Sequence, residues 1–142
     1  KDLTKIALTY KNAFVGTVSL GANMNHTIKT FKEAVSYEGP SIIIAYAPCI
    51  AQGILKGMKN SIQEEKDATQ SGYFPLFHYS PVTKEFKLDS QADFSKYEDF
   101  IKGEDRYRSL EKLSKNSKEM LETNKANAME RYNYYKELAN KE

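Results

Sequence analysis

Three observations predict an α/β fold. Two segments rich in β-branched and aromatic residues, Asn12 to Leu20 and Ser41 to Tyr46, read as strands. Between them Met24, Ile28, Phe31 and Val35 recur at spacings of four, three and four, one apolar face of a helix. A third extended segment, Phe74 to Tyr79, follows after another helical stretch. In order, the first strand carries a glycine that admits close backbone approach, and Gly21 and Asn23 punctuate its end. Asn23 and Asn25 suit a helix N-cap, where a short side-chain oxygen accepts a backbone N–H. The helix is expected to end near Gly39 and to lay its stripe over a sheet containing Ile42 to Ile44. Gly39-Pro40 turns the chain, and the continuous apolar centre at 42–44 suits a strand covered on both faces of a parallel sheet. Ile54, Leu55, Met58 and Ile62 predict a second amphipathic helix directly after Cys49, followed by the solvated run Gln63 to Asp67. Phe86 to Leu88 pairs with the third strand across the turn at Ser80-Pro81. The order β-α-β-α-β-β implies right-handed crossovers and a mainly parallel sheet with an antiparallel edge, flanked by helices.

Beyond Leu88-Asp89-Ser90 the chain changes character. Short aromatic helical pieces run through Phe94, Tyr97, Phe100 and Ile101, and Glu104 to Tyr107 leads into a long charged helix. That helix carries Met120, Leu121, Met129, Tyr132, Tyr135 and Leu138 in a gapped stripe, so it is expected to pack on one side at most, as a tail clasping its own subunit or a neighbour. The organisation read from the sequence is thus an α/β unit over 1–90 and a helical extension over 91–142. Lys1 to Tyr10 supplies no further strand. A parallel sheet this small leaves its edges open, which fits half of a larger α/β domain.

At 142 residues the chain suits one ordinary domain. A net charge of +2, with lysines interleaved among glutamates, argues against a nucleic-acid partner. No apolar run approaches the roughly 20 residues that span a bilayer, so no membrane role is expected. One cysteine builds no disulfide framework. The first residue is Lys1 rather than Met, and a chain cut from a longer one is expected.

Cys49 is the first candidate for chemistry. As a residue type it suits a small buried hydrophobe. In a loop beyond the carboxyl end of a strand, where α/β sheets meet ligands, and ahead of a helix N-terminus that lowers a thiol pKa, it also suits a reactive or metal-binding thiolate. A nucleophile needs a base, and neither His26 nor His78 is near it in sequence; a metal needs partners, and no second cysteine exists. Both histidines read as structural. Gly21 to Asn23 follows a strand and is a ligand-facing position without an assignable contact. The ten tyrosines read as packing material, because no basic groove accompanies them. Lys56 and Lys59 form a solvated face or an acidic-partner patch.

Gly-Ala-Asn-Met-Asn (21–25), Phe31-Lys-Glu-Ala34, Gly-Pro-Ser-Ile-Ile-Ile-Ala-Tyr-Ala-Pro-Cys (39–49) and Ser71-Gly-Tyr closely resemble the C-terminal part of the pyruvate:ferredoxin (flavodoxin) oxidoreductases. The resemblance is strongest over 14–78 and loose beyond 115; Gln52-Gly53 stands where relatives often carry His-Gly. It implies that residues 1–90 are the second half of a thiamine-diphosphate-binding domain. It implies three 4Fe–4S clusters in the parent enzyme, the one nearest thiamine diphosphate taking Cys49 as its fourth, distant thiolate ligand. The other three ligands, and the Gly-Asp-Gly…Asn motif that holds magnesium and the diphosphate, are absent from this chain. The implied activity of the parent, a homodimer, is oxidative decarboxylation of pyruvate to acetyl-CoA with coenzyme A, passing electrons to ferredoxin or flavodoxin, in the cytoplasm or a hydrogenosome-like organelle. The segment alone is expected to be inactive, with no catalytic residue of its own. The reading set against this is a freestanding, non-catalytic α/β interaction domain whose helical tail binds a partner.

Overall fold

The computed structural model describes residues 2–51 and 53–141, so Lys1 and Gln52 of the sequence reading lie outside the described residues. Four strands, β1 (Phe14–Val18), β2 (Ser41–Ala45), β3 (Phe77–Ser80) and β4 (Glu85–Leu88), form one sheet in the order β2-β1-β3-β4. Only β1 and β2 run parallel, with Phe14 opposite Ser41 and Val18 opposite Ala45. β3 is antiparallel to β1, and β4 to β3. The expected mainly parallel sheet is therefore corrected to a mixed one. β3 enters beside β1 from the opposite direction, because the chain crosses by way of helix and loop to the far end of the sheet. β1 is the central strand, buried at every residue.

Helix α1 (Leu3–Leu8) precedes the sheet and is capped by Asp2, whose carboxylate accepts the N–H groups of Thr4 and Lys5. Helix α2 (Met24–Ser36) starts at Asn23, whose side chain accepts the N–H of His26 at 2.9 Å. The expected cap is thus in place. The expected packing face is not. Thr27, Thr30 and Ala34 are the buried residues of α2, while Met24, Ile28, Phe31 and Val35 are exposed, Phe31 by 47% and Val35 by 83%. Gly16 explains the inversion: a Cβ there would lie 2.6 Å from the Thr30 methyl carbon, so the helix presses its small face onto bare strand backbone. The larger apolar residues are left on the outer side.

β2 is also corrected. It is an edge strand with Ile42, Ile43 and Ile44 half-buried, instead of a strand enclosed on both faces. The helix expected directly after Cys49 is replaced by a loop: residues 46–51 and 53–57 carry no helix, a single 3-10 turn spans Met58–Asn60, and helix α3 (Ser61–Gln70) follows. Gly53 and Gly57 hold positive φ, at 72° and 81°, which breaks the apolar stripe at 54–62 as a helix.

The C-terminal third folds as helices α4 (Tyr97–Gly103), α5 (Asp105–Leu113) and α6 (Ser117–Ala139). The single long helix expected from Glu104 is interrupted near Ser114. α6 packs along β4 and delivers Tyr135, 1% exposed, onto the Phe77 and Phe86 rings at 4.7 and 5.8 Å. With Ala7, Ala13 and Val15 these make one core; Ala68, Tyr97, Phe100, Ile101 and Ala128 make a second, between α3, α4 and α6. The tail therefore clasps its own chain, and Tyr46, Tyr73, Tyr97, Tyr107 and Tyr135 serve packing, whereas Tyr10 and Tyr134 are exposed. None of the described helices is long and apolar enough to cross a membrane.

Candidate functional site

β2 ends at Ala45, and the backbone N–H of Tyr46 still donates to Val18 at 2.9 Å. From there the chain leaves the sheet into the loop that carries Cys49, whose side chain is free and exposed. A buried structural thiol is excluded by that exposure. Among the described residues, no helix begins directly after it; the next helical turn starts at Met58. The loop is closed instead by the Gly53 N–H, which donates to the Cys49 carbonyl at 2.9 Å. The positive φ of Gly53 and the tight approach of Asp105, 2.7 Å from a Cβ placed there, favour glycine at this corner.

The far side of the loop is tied to the junction of α4 and α5. The N–H of Leu55 donates to the Gly103 carbonyl at 2.8 Å, and Ile54 bridges Glu104. Glu104, buried, is the hub: it accepts from the Tyr46 hydroxyl at 3.1 Å and from Arg106 Nε at 2.9 Å, with Arg106 Nη2 in ion-pair contact with the same oxygen at 2.8 Å. A hydrogen bond between an ionised donor and an ionised acceptor is shorter and stronger than one between neutral groups. Burial, then the Glu104 charge and hydrogen bond, push the Tyr46 phenol well above its ordinary range, so it stays a donor. Nearby, a cavity of about 390 Å³ opens among Leu55, Lys56, Glu64, Asp99 and Lys102. Burial, followed by repulsion from Glu104 and Asp67, raises Glu64 to about 7. Sequence reading missed Glu104 and Glu64, since an acidic residue in a charged stretch carries no mark of burial. The spacing of Glu104 and Arg106 is the only local signal.

The other sequence-marked residues take different places. Gly21 gives its N–H to the Glu65 carboxylate at 2.7 Å, which anchors the loop after β1 to α3. Lys56 and Lys59 are exposed. His26 and His78, read as unrelated structural residues, converge on one oxygen of Asp89, at 3.0 and 2.6 Å. Burial works against charge on Asp89, but the hydrogen bonds from His26 and His78 hold its carboxyl down at about 2.

Toward the implied cofactors, the chain's own donors are specific and partial. Cys49 presents one accessible thiol, the chemistry of a single cluster ligand; the chain has no second cysteine, and the diphosphate-binding motif is absent from its sequence.

No protein-family model matches the chain. The pyruvate:ferredoxin oxidoreductase of Moorella thermoacetica is 39% identical over 145 residues, covering 98% of this chain and 12% of the relative. The pyruvate-flavodoxin oxidoreductase of Klebsiella pneumoniae is 36% identical over 148 residues, covering 100% of this chain and 13% of the relative. The mitochondrial pyruvate dehydrogenase [NADP(+)] of Euglena gracilis is 37% identical over 144 residues, covering 97% and 8% respectively. The chain thus spans roughly a tenth of the length of the curated relatives it matches. Identity at this level along nearly every residue, with the Cys49 loop and its strand inside the match, makes the chain a homologue of one part of the pyruvate:ferredoxin/flavodoxin oxidoreductases.

Proposed function

We propose that this chain is the segment of a pyruvate:ferredoxin/flavodoxin oxidoreductase that finishes a thiamine-diphosphate-type domain and lends Cys49 to a 4Fe–4S cluster. The observation that carries the reading is the exposed Cys49 thiol at the carboxyl end of an edge strand, beside a helix whose large apolar residues face outward. An open edge and an uncovered apolar face are what a segment presents when the rest of its domain lies elsewhere in the polypeptide. In the parent, read as a dimer, a cluster held at Cys49 would supply one-electron transfer chemistry. Residues of this chain supply position. Cys49 binds iron as the thiolate, giving up its proton. Glu104, held by Arg106 and Tyr46, fixes the α4–α5 corner to which the loop is hydrogen-bonded. The flavodoxin, ferredoxin and NADP(+) in the relatives' names leave pyruvate as the shared substrate, with the acceptor set outside this segment.

The test is Cys49→Ala in the longer polypeptide. Expected is loss or conversion of one cluster, read as reduced iron content and an altered EPR spectrum, with the remaining clusters retained. Unchanged iron and unchanged EPR signals would overturn the assignment. The same outward face suits a freestanding interaction domain, and that reading wins if the 142-residue chain is a sharp-melting monomer that captures a partner without any longer polypeptide.

A further inference from the structure

We propose that His26, His78 and Asp89 form a divalent-metal site, taking a zinc-type ion, on the side of the sheet away from α6 and separate from Cys49. The inference is independent of the oxidoreductase reading. His26 Nε2, His78 Nδ1 and an Asp89 oxygen lie within 4.8 Å of one another. They come from three elements, the first turn of α2, strand β3 and the residue after β4, and they are the only two histidines of the chain. Both imidazoles are 10% exposed and Asp89 is 21% exposed, so the site is screened but open on one side.

Each ligand is held by the backbone that carries it. The Asn23 cap fixes the N–H of His26, His78 is stacked on Phe14 at 6.3 Å, and the Asp89 N–H donates to the Leu76 carbonyl at 2.8 Å. Metal–nitrogen and metal–oxygen bonds of about 2.0–2.2 Å place tetrahedral ligand atoms about 3.3 Å apart. The two histidine–Asp89 separations of 3.0 and 2.6 Å reach that with a shift of under about 1 Å each, and the two imidazole nitrogens, within 4.8 Å of one another, close by a side-chain adjustment of no more than about 1.5 Å. Two imidazoles and one carboxylate suit zinc and its neighbours rather than magnesium or calcium, which take oxygen ligands.

The protons also balance. An imidazole that ligates through His78 Nδ1 carries its proton on Nε2, and Glu33 Oε2 lies 3.7 Å from that nitrogen, beyond hydrogen-bond distance but near enough to receive the N–H after a small side-chain movement. A carboxylate behind a ligating histidine is the usual device for fixing its orientation. For His26, ligation through Nε2 puts the proton on Nδ1, which is buried without a partner among the described residues, so that N–H needs a solvent molecule and sets a cost that the metal bond must exceed. The remaining coordination position is left to solvent on the open side. A filled site would join α2 to β3 and to the end of β4.

The test uses the whole 142-residue chain without a histidine tag, carrying Cys49→Ser to remove the competing thiol. Zn²⁺ is titrated by calorimetry, by thermal melting, and by NMR of the imidazole ring protons. Expected are one ion per chain, a melting temperature that rises with Zn²⁺ because the ion binds only the native state, and shifts at both histidine signals. His26→Gln and His78→Gln should each weaken binding at least about 10-fold, the scale of losing even an outer partner of a metal ligand. Absence of saturable one-to-one binding, ring signals that do not move, or an affinity left unchanged by either histidine substitution would overturn the proposal and leave a hydrogen-bonded His–Asp–His cluster.

Discussion

The two flanks of the sheet are closed by different means. At the β4 flank the chain uses its own helix: α6 lies along β4 and sinks Tyr135 between Phe77, Phe86 and the Asp2–Thr4 cap of α1. At the β2 flank no strand of the described residues follows, the isoleucines are half-buried, and α2 turns Met24, Ile28, Phe31 and Val35 outward. The closed flank contains one of the two cores, and the open flank leaves an unpaired strand edge and an outward apolar helix face. Large apolar residues on the outside of a helix mark a contact when they lie in one patch with an unpaired strand edge.

The largest expected effect breaks the closed flank. Tyr135→Ala should destabilise the fold by about 3–5 kcal/mol, the range for removing a buried aromatic, measured by urea unfolding. A loss under about 1 kcal/mol would mean that α6 is not part of the core. Next comes the tether of the Cys49 loop. Glu104→Ala leaves the Tyr46 hydroxyl and Arg106 without their acceptor and should cost about 1.5–3 kcal/mol, the worth of hydrogen bonds to a charged group. Faster hydrogen exchange at the Leu55 and Gly53 amides would locate that loss in the loop.

Glu64 tests the same corner by pH. Its folded value of about 7 lies above its ordinary 4.5, raised by burial, Glu104 and Asp67 against a smaller opposing effect of Lys56. The folded chain therefore binds the proton more tightly than the unfolded chain. Its contribution is complete below about pH 4.5 and is lost as pH rises through about 7. Glu64→Gln should flatten that part of the stability–pH curve, and an unchanged slope would show that Glu64 is ionised throughout.

The smallest stability effect belongs to the open flank. Phe31→Ala should change unfolding free energy by no more than about 0.5 kcal/mol, as for a surface substitution. Ile28→Glu with Val35→Glu should be similarly mild, yet should reduce self-association in sedimentation at micromolar concentration. A large loss on Phe31→Ala would reverse the assignment of the two flanks.

Much of the fold is legible along the chain because its signals are local. Asn23 caps α2, Gly39-Pro40 launches β2, and the turn at Ser80-Pro81 joins two antiparallel strands. The burial of α2 is not legible. Periodicity identifies the apolar side of a helix, but here Gly16 admits Thr30 so closely that the small side packs inward. The helix expected after Cys49 fails for a related reason: Ile54 finds its partner in Glu104, fifty residues on, and two glycines with positive φ bend the chain to reach it.

The sequence by itself determined the β-α-β-α-β-β order of the sheet unit, the turn that begins β2, the position of Cys49 beyond that strand, and the kinship carried by residues 39–49. Those properties rest on interactions within a few residues, which a linear pattern records. Only the tertiary structure decided the antiparallel entry of β3, the closing of one flank by Tyr135, the burial of Glu104, and the meeting of His26 with His78 at Asp89. These depend on which distant segments share a surface. That choice is made by fit between side chains, a Thr30 methyl over bare Gly16 or a ring between two phenylalanines, and no local spacing encodes it.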